Sequence, residues 1–192
     1  MDNNKNIAVF ASGFGSNFEA ILEAAESGKL HANIALLVVD KPDCYAVERA
    51  HKRNIPVFAF RPKDFSCKEE YESKIVEQLE AYHIEWIALA GYMRLVGMVL
   101  LSRYEGRIIN IHPALLPAFP GTHSIEKAYD YGVKIFGVTI HYVDAGMDTG
   151  KIIAQECFHK NEGESVDEVE TRIHQLEHQI YPQVLEKLIN PV

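Results

Sequence analysis

Residues 6–17 read NIAVFASGFGSN, a short apolar run that passes directly into a glycine-rich turn. An apolar run of this length is typical of a buried strand, and glycine marks the turn that ends it. Ser16 or Asn17 is then expected to cap a helix, in which apolar side chains recur at helical spacing up to Gly28. A buried strand, a sharp turn and an amphipathic helix in this order predict the opening unit of an α/β sheet.

Apolar runs and amphipathic segments go on alternating downstream of this unit. Near-continuous apolar strands are typical of a parallel sheet that helices cover on both faces. We therefore predict a Rossmann-like α/β fold, with a mostly parallel sheet, an antiparallel pair near its end and a long C-terminal helix, in one domain over residues 1–192. The predicted strands are 6–11, 34–39, a third from 55, 86–90, 107–111, 135–143 and 151–158, and the predicted helices are 16–28, 45–52, 68–82, 124–131 and 166–189.

Three local features of the backbone are also predicted. Ser165, with Glu168 at the third position after it, has the pattern of a capping box at the start of the last helix. Pro182 lies within that helix and is expected to kink it. In the irregular loop 112–123, the bond before Pro117 is expected to be cis, because a cis proline gives a rigid turn where the chain leaves the sheet edge.

The composition argues against several classes of protein. Acidic residues outnumber basic ones, 27 to 19, for a formal net charge of -8, so a nucleic acid partner, which needs a basic face, is not expected. No apolar run approaches the roughly 20 residues of a membrane span, and the polar start 1–5 is unlike a secretory signal. The three cysteines, Cys44, Cys67 and Cys157, match neither a metal site nor a disulfide framework, which favours a reducing cytoplasm.

The glycine turn 12–17 is the first candidate ligand site. Glycine lets the backbone turn sharply and approach a ligand closely, and the start of the following helix favours an anion. Phe18 stands where the dinucleotide fingerprint has its third glycine, and the Gly-Lys-Ser/Thr sequence of a P-loop does not follow. A single phosphate is the functional interpretation, and a tight turn without a ligand is the alternative.

Asn110 and His112 form the second candidate site. Residues two apart on a strand face the same side, so both side chains are expected to project together from the C-terminal end of their strand. Open α/β sheets bind their ligands at that end. An amide and an imidazole can both donate hydrogen bonds to a developing oxyanion, whereas the alternative is a polar pair that stabilises a loop.

The segment Asp144–Gly150 is a third candidate, because two aspartates and two glycines follow a predicted strand there. In the functional interpretation, one carboxylate orients His112 and favours its protonated form. The alternative is a solvated turn in which aspartate side chains bond to their own backbone.

Residues 174–178 read HQLEH and fit the H-x-x-E-H pattern of a zinc site. Two histidines four residues apart share one face of a helix. The pattern lies near the end of the chain, however, where only Glu186 of the same helix follows as a further ligand. A metal is therefore not expected, and Glu177 is instead expected to lie beside the ligand of the glycine turn.

Five motifs occur in a characteristic order along the chain. They are SGxGSN at 12–17, LAGYMR at 89–94, NIHPALLP at 110–117, GVTIHYV at 137–143 and DTG at 148–150. Together they closely resemble the folate-dependent formyltransferases, in particular the family that acts on phosphoribosylglycinamide (GAR) in purine biosynthesis. The resemblance covers essentially the whole chain and adds to the expectation of a cis bond before Pro117.

The resemblance implies a cytoplasmic enzyme, monomer or homodimer, that moves a formyl group from the cosubstrate 10-formyltetrahydrofolate to the amine of GAR without a metal. It implies a catalytic set of Asn110, His112 and Asp148. The implied GAR-binding residues are Gly15, Ser16, Asn17, His174 and Glu177. The implied folate-binding residues are Lys68, where the family often has an arginine, and Met93, Arg94, Leu95, Val96, Asn110, Asp144, Ala145, Gly146, Met147 and Asp148.

Three alternatives stay open at this point. Methionyl-tRNA formyltransferases carry a further C-terminal domain and hold an RNA, and formyltetrahydrofolate deformylases usually carry an added N-terminal domain. Neither addition is expected in this chain. From another class, a non-catalytic nucleotide-binding module would need only the glycine turn and would leave Asn110, His112 and Asp148 without a role.

Overall fold

A computed structural model describes residues 4–191, so the first three residues of the polar start 1–5 lie outside the described residues. The strands are β1 (Lys5–Ala11), β2 (Ala32–Val39), β3 (Val57–Ala59), β4 (Trp86–Leu89), β5 (Ile108–His112), β6 (Ile135–Tyr142) and β7 (Ile152–His159). They form one seven-stranded sheet in the order β3-β2-β1-β4-β5-β6-β7. Strands β1 to β5 are parallel, whereas β6 pairs antiparallel with β5 and β7 antiparallel with β6.

The helices cover both faces of this sheet, as the apolar strand pattern predicts. They are α1 (Ser16–Glu26), α2 (Tyr45–Lys52), α3 (Lys68–Ala81), α4 (Met98–Arg103), α5 (Ser124–Tyr131) and α6 (Val166–Ile189). Helices α1, α2, α5 and α6 contribute to the hydrophobic core on one face, and α3 and α4 to the core on the other. The predicted fold class is therefore confirmed, including the antiparallel pair and the long last helix.

Strand β1 shows why these strands are apolar at nearly every position. Ile7, Val9 and Ala11 pack into one core, while Ala8 and Phe10 pack into the other. All five side chains are fully buried. Because successive residues of a strand face opposite sides, a sheet covered on both faces needs apolar residues without alternation.

Two details correct the sequence prediction. Neither Ser16 nor Asn17 caps α1: the N-cap residue is Gly15, in a left-handed conformation with φ 74°, and Ser16 is the first helical residue. A Cβ at Gly15 would lie 2.8 Å from the Cβ of Ala46, so close packing of α2 leaves room there only for glycine. The prediction also missed α4, because six residues are too few to show a helical period.

Two of the three predicted backbone features are present in the structure. The capping box of α6 is present, since the Ser165 side chain accepts from the Glu168 N–H and the Glu168 side chain accepts from the Ser165 N–H. The Leu116–Pro117 bond is cis, as expected. Helix α6 continues through Pro182, and the kink expected there stays a prediction.

Tyr181 joins α6 to the middle of the sheet. Its side chain is fully buried, and its hydroxyl group lies 2.9 Å from the carbonyl oxygen of Leu89 and 3.2 Å from that of Ile109. These carbonyls belong to β4 and β5, the adjacent strands that end beside Asn110. A polar contact inside the core thus sets the position of the helix that carries Glu177.

We expect Tyr181→Phe to lower the free energy of unfolding by about 1–2 kcal/mol, because two buried carbonyl oxygens lose their shared donor. Denaturant unfolding followed by circular dichroism measures the change. Tyr131→Phe is the matched control, since Tyr131 is 81% exposed and surface changes usually stay within about 0.5 kcal/mol. A Tyr181→Phe protein as stable as its parent would show that apolar packing alone holds α6 in place.

Candidate active site

Asn110 and His112 project from one face of β5 at the edge where the neighbouring parallel strands end. Asn110 pairs with Leu89, the last residue of β4, on one side. On the other side, β6 places His141 opposite Asn110 and Thr139 opposite His112. The sheet therefore brings an amide and two imidazole rings together at one edge.

His112 contacts an oxygen atom with each of its ring nitrogens. Its Nε2 lies 2.8 Å from the carbonyl oxygen of Phe119, and its Nδ1 lies 3.4 Å from Oδ2 of Asp148. A carbonyl and a carboxylate can only accept hydrogen bonds, so both ring nitrogens of His112 face acceptors. These two contacts hold the ring in one orientation.

Asp148 reaches this edge from the loop between β6 and β7. Its Oδ2 accepts a hydrogen bond of 2.7 Å from the N–H of Gly121, and its Oδ1 lies 3.5 Å from Nδ2 of Asn110. Contact with His141, the Gly121 N–H and the charge of His112 hold the pKa of Asp148 below its ordinary value, although burial opposes them. Asp148 is therefore a carboxylate at neutral pH, and the predicted convergence of Asn110, His112 and Asp148 is found.

His141 completes the cluster and was missed by the sequence analysis. Its Nδ1 lies 2.8 Å from the carbonyl oxygen of Tyr142, and its Nε2 lies 3.2 Å from Nδ2 of Asn110 and 3.5 Å from Oδ1 of Asp148. Because the carbonyl oxygen of Tyr142 can only accept a hydrogen bond, Nδ1 donates to it, and Nε2 lies between the amide of Asn110 and the carboxylate of Asp148. The available signal was its place in the GVTIHYV motif, but its register opposite Asn110 depends on strand pairing.

The glycine turn 12–17 lies at the same edge of the sheet. The N–H of Ser12 donates to the carbonyl oxygen of Gly91 at 3.1 Å, and its Oγ accepts from the N–H of Met93 at 2.9 Å. Within residues 4–191, the N–H groups of residues 15–17 donate to no other backbone group. Free donors at the start of a helix are suited to binding an anion.

Glu177 of α6 lies against the first turn of α1. It is 3% exposed, and its Oε2 accepts from Nδ2 of Asn17 at 3.2 Å and contacts Nδ1 of His174 at 2.9 Å. This hydrogen bond raises the pKa of His174, although burial opposes the shift. The side-chain oxygen of Asn17, Oδ1, is buried without a partner within residues 4–191, so it can accept from a ligand. His174 and Glu177 of the zinc-like pattern therefore bond to each other beside the glycine turn.

The loop 91–97 carries the predicted folate-binding residues between β4 and α4. Nε of Arg94 lies 3.0 Å from Oδ2 of Asp40, which fixes the guanidinium at one side of the loop. Val96 is buried, whereas Met93 is 65% exposed and Leu95 50% exposed. The loop thus presents apolar surface and one positive charge.

Lys68 lies near the end of this loop, and the loop Asp144–Asp148 reaches Asn110. Nζ of Lys68 lies 3.9 Å from Oε1 of the buried Glu72, and that oxygen accepts from the N–H of Gly97 at 2.6 Å, so Lys68 lies close to the loop. Asp144 accepts through Oδ1 from the N–H of Gly146 at 3.0 Å and from Oγ1 of Thr149 at 2.7 Å. Asp144 therefore stabilises its own turn, while residues 145–147 are exposed.

Comparison with known proteins places the chain in a class. The profile of the formyl transferase family matches residues 5–185, a range that contains all seven strands and the Asn110 cluster. The chain therefore belongs to the formyl transferase family.

The relatives narrow this class further. Phosphoribosylglycinamide formyltransferase of Bacillus subtilis (strain 168) is 52% identical over 185 residues, which are 96% of this chain and 95% of that protein. The protein of the same name from Escherichia coli (strain K12) is 33% identical over 180 residues, 94% of this chain and 85% of that protein.

Solved structures with the same fold come from proteins of the same name or activity as these relatives. The crystal structure of phosphoribosylglycinamide formyltransferase from Bacillus halodurans has a TM-score of 0.95 and 52% identity, covering 97% of this chain and 96% of that one. Glycinamide ribonucleotide transformylase 1 from Geobacillus kaustophilus has a TM-score of 0.95 and 54% identity, covering 98% and 100%. The family expected from the five motifs is confirmed.

We expect the pKa of His174 to fall in Glu177→Gln, because a neutral amide no longer stabilises the protonated ring. Nuclear magnetic resonance titration of the ring protons measures the change. Glu170→Gln is the matched control: its Oε1 lies 3.5 Å from Nε2 of the same histidine but its side chain is 53% exposed, so a smaller fall is expected. Equal falls in the two variants would contradict the leading role of Glu177.

The contact between His174 and Glu177 should make the stability of the fold depend on pH. Because the folded-state pKa of His174 is raised, its pairing with Glu177 stabilises the fold fully below a pH of about 6.5, and this contribution is lost as the pH rises through the raised value. Compared with the parent, Glu177→Gln should therefore lose more of its free energy of unfolding at a pH of about 6 than at about 9. Denaturant unfolding at the two pH values tests the sign.

Proposed function

We propose that this chain transfers the formyl group of 10-formyltetrahydrofolate to the amine of 5'-phosphoribosylglycinamide (GAR), giving formyl-GAR and tetrahydrofolate in de novo purine (IMP) biosynthesis. The observation that carries the proposal is the meeting of Asn110, His112 and Asp148 at the sheet edge that also holds the glycine turn. Relatives that cover nearly the whole chain bear the name phosphoribosylglycinamide formyltransferase, which supports GAR as the acceptor. The proposal includes a single formyltransferase domain over residues 1–192 and a cytoplasmic location.

The first chemical step is attack of the GAR amine on the formyl carbon. A carbon–nitrogen bond forms, and the electron pair of the carbonyl group moves onto oxygen in a tetrahedral intermediate. Asn110 donates to this oxygen through Nδ2 once the substrate replaces its 3.5 Å contact with Asp148, and His112 donates through Nε2 once the substrate replaces its contact with Phe119. Donors that bond to the charged oxygen stabilise the transition state more than the ground state, because the charge develops only there.

The second step is loss of tetrahydrofolate from the intermediate. The bond between the formyl carbon and N10 breaks, N10 gains a proton, and the attacking nitrogen loses one. His112 is the group placed to move that proton, because an imidazole can give and take protons near neutral pH. Asp148 keeps the ring oriented and charged through its contact with Nδ1.

GAR is proposed to bind between α1 and α6. The phosphate is held by the N–H groups of Gly15, Ser16 and Asn17, which lie at the positive end of the α1 dipole. Glu177 supplies a buried carboxylate that can accept hydrogen bonds from ribose hydroxyl groups, with His174 beside it. The resemblance to the family supports these roles.

The cosubstrate is proposed to bind between the loops 91–97 and 144–148, which flank Asn110. Apolar surface from Met93 and Leu95 suits a flat ring system, and the exposed residues 145–147 form the opposite side. The resemblance to the family adds the buried Val96 to this site. Arg94 and Lys68 supply positive charge for the carboxylates of the folate. Asn110 and Asp148 close the end where the formyl group reacts, and Asp144 shapes the turn.

Measurement of formyl transfer tests the proposed function. Tetrahydrofolate should form only when both GAR and 10-formyltetrahydrofolate are present, and formyl-GAR should form in equal amount. Release of formate without GAR would indicate a hydrolase, and formylation of methionyl-tRNA would indicate an RNA substrate. Either result, in the absence of GAR turnover, would overturn the proposal.

We expect His112→Ala and Asp148→Asn each to reduce kcat on the order of a hundredfold or more, because both groups act on charge that develops in the transition state. The affinity for GAR should be largely kept, and steady-state kinetics measures both quantities. His123→Ala is the control, because this histidine is the last residue of the loop that begins at His112 and its side chain is 74% exposed. Turnover of His112→Ala or Asp148→Asn within about twofold of the parent would exclude that residue's role.

A further inference from the structure

Arg49 of α2 joins the glycine turn to the two helices beside it. Its Nε donates to the carbonyl oxygen of Phe14 at 3.0 Å, and its Nη1 donates to Oε2 of Glu19 in α1 at 2.6 Å. Its guanidinium lies 4.6 Å from the ring centroid of Phe14 and 4.9 Å from that of Tyr45. The two rings stack at 4.9 Å, 8° from parallel. One side chain therefore contacts the main chain of the turn, its aromatic ring and the following helix.

The hydrogen bond to Phe14 sets the direction of the next N–H group. In a planar trans peptide, the C=O and the N–H that follows it point in opposite directions. Because Arg49 draws the Phe14 carbonyl toward α2, the N–H of Gly15 points away from α2. The N–H of Ala46 holds the carbonyl oxygen of Gly13 at 3.2 Å in the same way, so the N–H of Phe14 is also turned away.

The hydrogen bonds from Arg49 and Ala46 restrict a turn that glycines would otherwise leave flexible. Gly15 has φ 74° and no space for a side chain beside Ala46. Glycine has the largest conformational freedom of any residue, so an unsupported turn would lose entropy when a ligand ordered it. The side chains of Arg49 and Glu19 are only 16% and 20% exposed, so water weakens their contact less than that of a surface ion pair. The turn is therefore held in place before any ligand binds.

We propose that Arg49 is a positioning residue for GAR binding: it orients the N–H groups of the turn toward the phosphate without contacting the reacting atoms. This inference rests on the proposed function, which places the phosphate at residues 15–17. Arg53 provides an internal comparison. It lies one turn further along the chain and ion-pairs with the same Glu19 and with Glu26, and within residues 4–191 none of its side-chain hydrogen bonds or ion pairs reaches the glycine turn.

Steady-state kinetics of Arg49→Met and Arg53→Met tests the inference. Arg49→Met should raise KM for GAR about tenfold and leave kcat and KM for 10-formyltetrahydrofolate within about twofold of the parent. Both variants lose an ion pair to Glu19, so Arg53→Met should lower Tm about as much as Arg49→Met does. Arg53→Met should nevertheless leave KM for GAR within about twofold of the parent. An equal rise in KM for both variants would show general loosening of α1 against α2 and overturn the inference.

Arg49→Lys separates positioning from simple charge attraction. Lysine keeps the positive charge but has no planar fork that can hold the Phe14 carbonyl and Glu19 together. We expect Arg49→Lys to raise KM for GAR as much as Arg49→Met does. A KM equal to that of the parent would mean that the charge alone attracts the phosphate, and would overturn the positioning role.

Binding of inorganic phosphate distinguishes this inference from the proposed function. Isothermal titration calorimetry should show phosphate binding to the parent and to Arg53→Met, and binding about tenfold weaker to Arg49→Met. A parent that binds phosphate but turns over no GAR would overturn the proposed function and leave the role of Arg49 to be judged from the titration. A parent that binds no phosphate, or three proteins that bind it alike, would overturn the inference about Arg49.

Discussion

The register of β6 against β5 is the constraint on which the catalytic cluster depends, since it places His141 opposite Asn110. The loop that follows β6 then returns Asp148 to the same face of the sheet. A slip of one residue would turn the polar side chains of β5 toward the core that now holds Ile109 and Ile111. Burial of these apolar side chains opposes such a slip, so the hydrophobic core keeps the polar groups in their relative positions.

The loop between β5 and α5 supplies hydrogen bonds to the buried polar groups of the cluster. Buried polar groups need such partners to offset the loss of water, and this loop supplies the Gly121 N–H to Asp148 and the Phe119 carbonyl oxygen to His112. Thr139 of β6 anchors the start of the loop by donating to the carbonyl oxygen of Ala114 at 2.7 Å. The irregular loop therefore has a defined structure, because a side chain of the sheet bonds to its backbone.

The proposed phosphate site depends on the contact between α1 and α2. Helix α2 approaches the turn so closely that Ala46 excludes a side chain at Gly15, and Arg49 bonds to the preceding carbonyl. Phe14 is a bulky residue for a glycine turn, and its ring stacks on that of Tyr45 in α2. Phe14 is thus part of the contact between α2 and the turn.

Local pattern was enough to predict the order of strands and helices, the fold class and the shared direction of Asn110 and His112, because these follow from the period of apolar residues and from spacing within one strand. It was not enough for α4, which is too short to show a period, or for the cap at Gly15, which depends on Ala46. Glu177 was expected beside the ligand of the glycine turn, but only the family resemblance distinguished Asp148 from Asp144 as the partner of His112. The three-dimensional packing settled the register of His141, the bond of Arg49 to Phe14 and the contact of Asn17 with Glu177, 160 residues apart in the chain. Such contacts join segments that meet only after folding, and no local periodicity specifies which distant side chain a residue will contact.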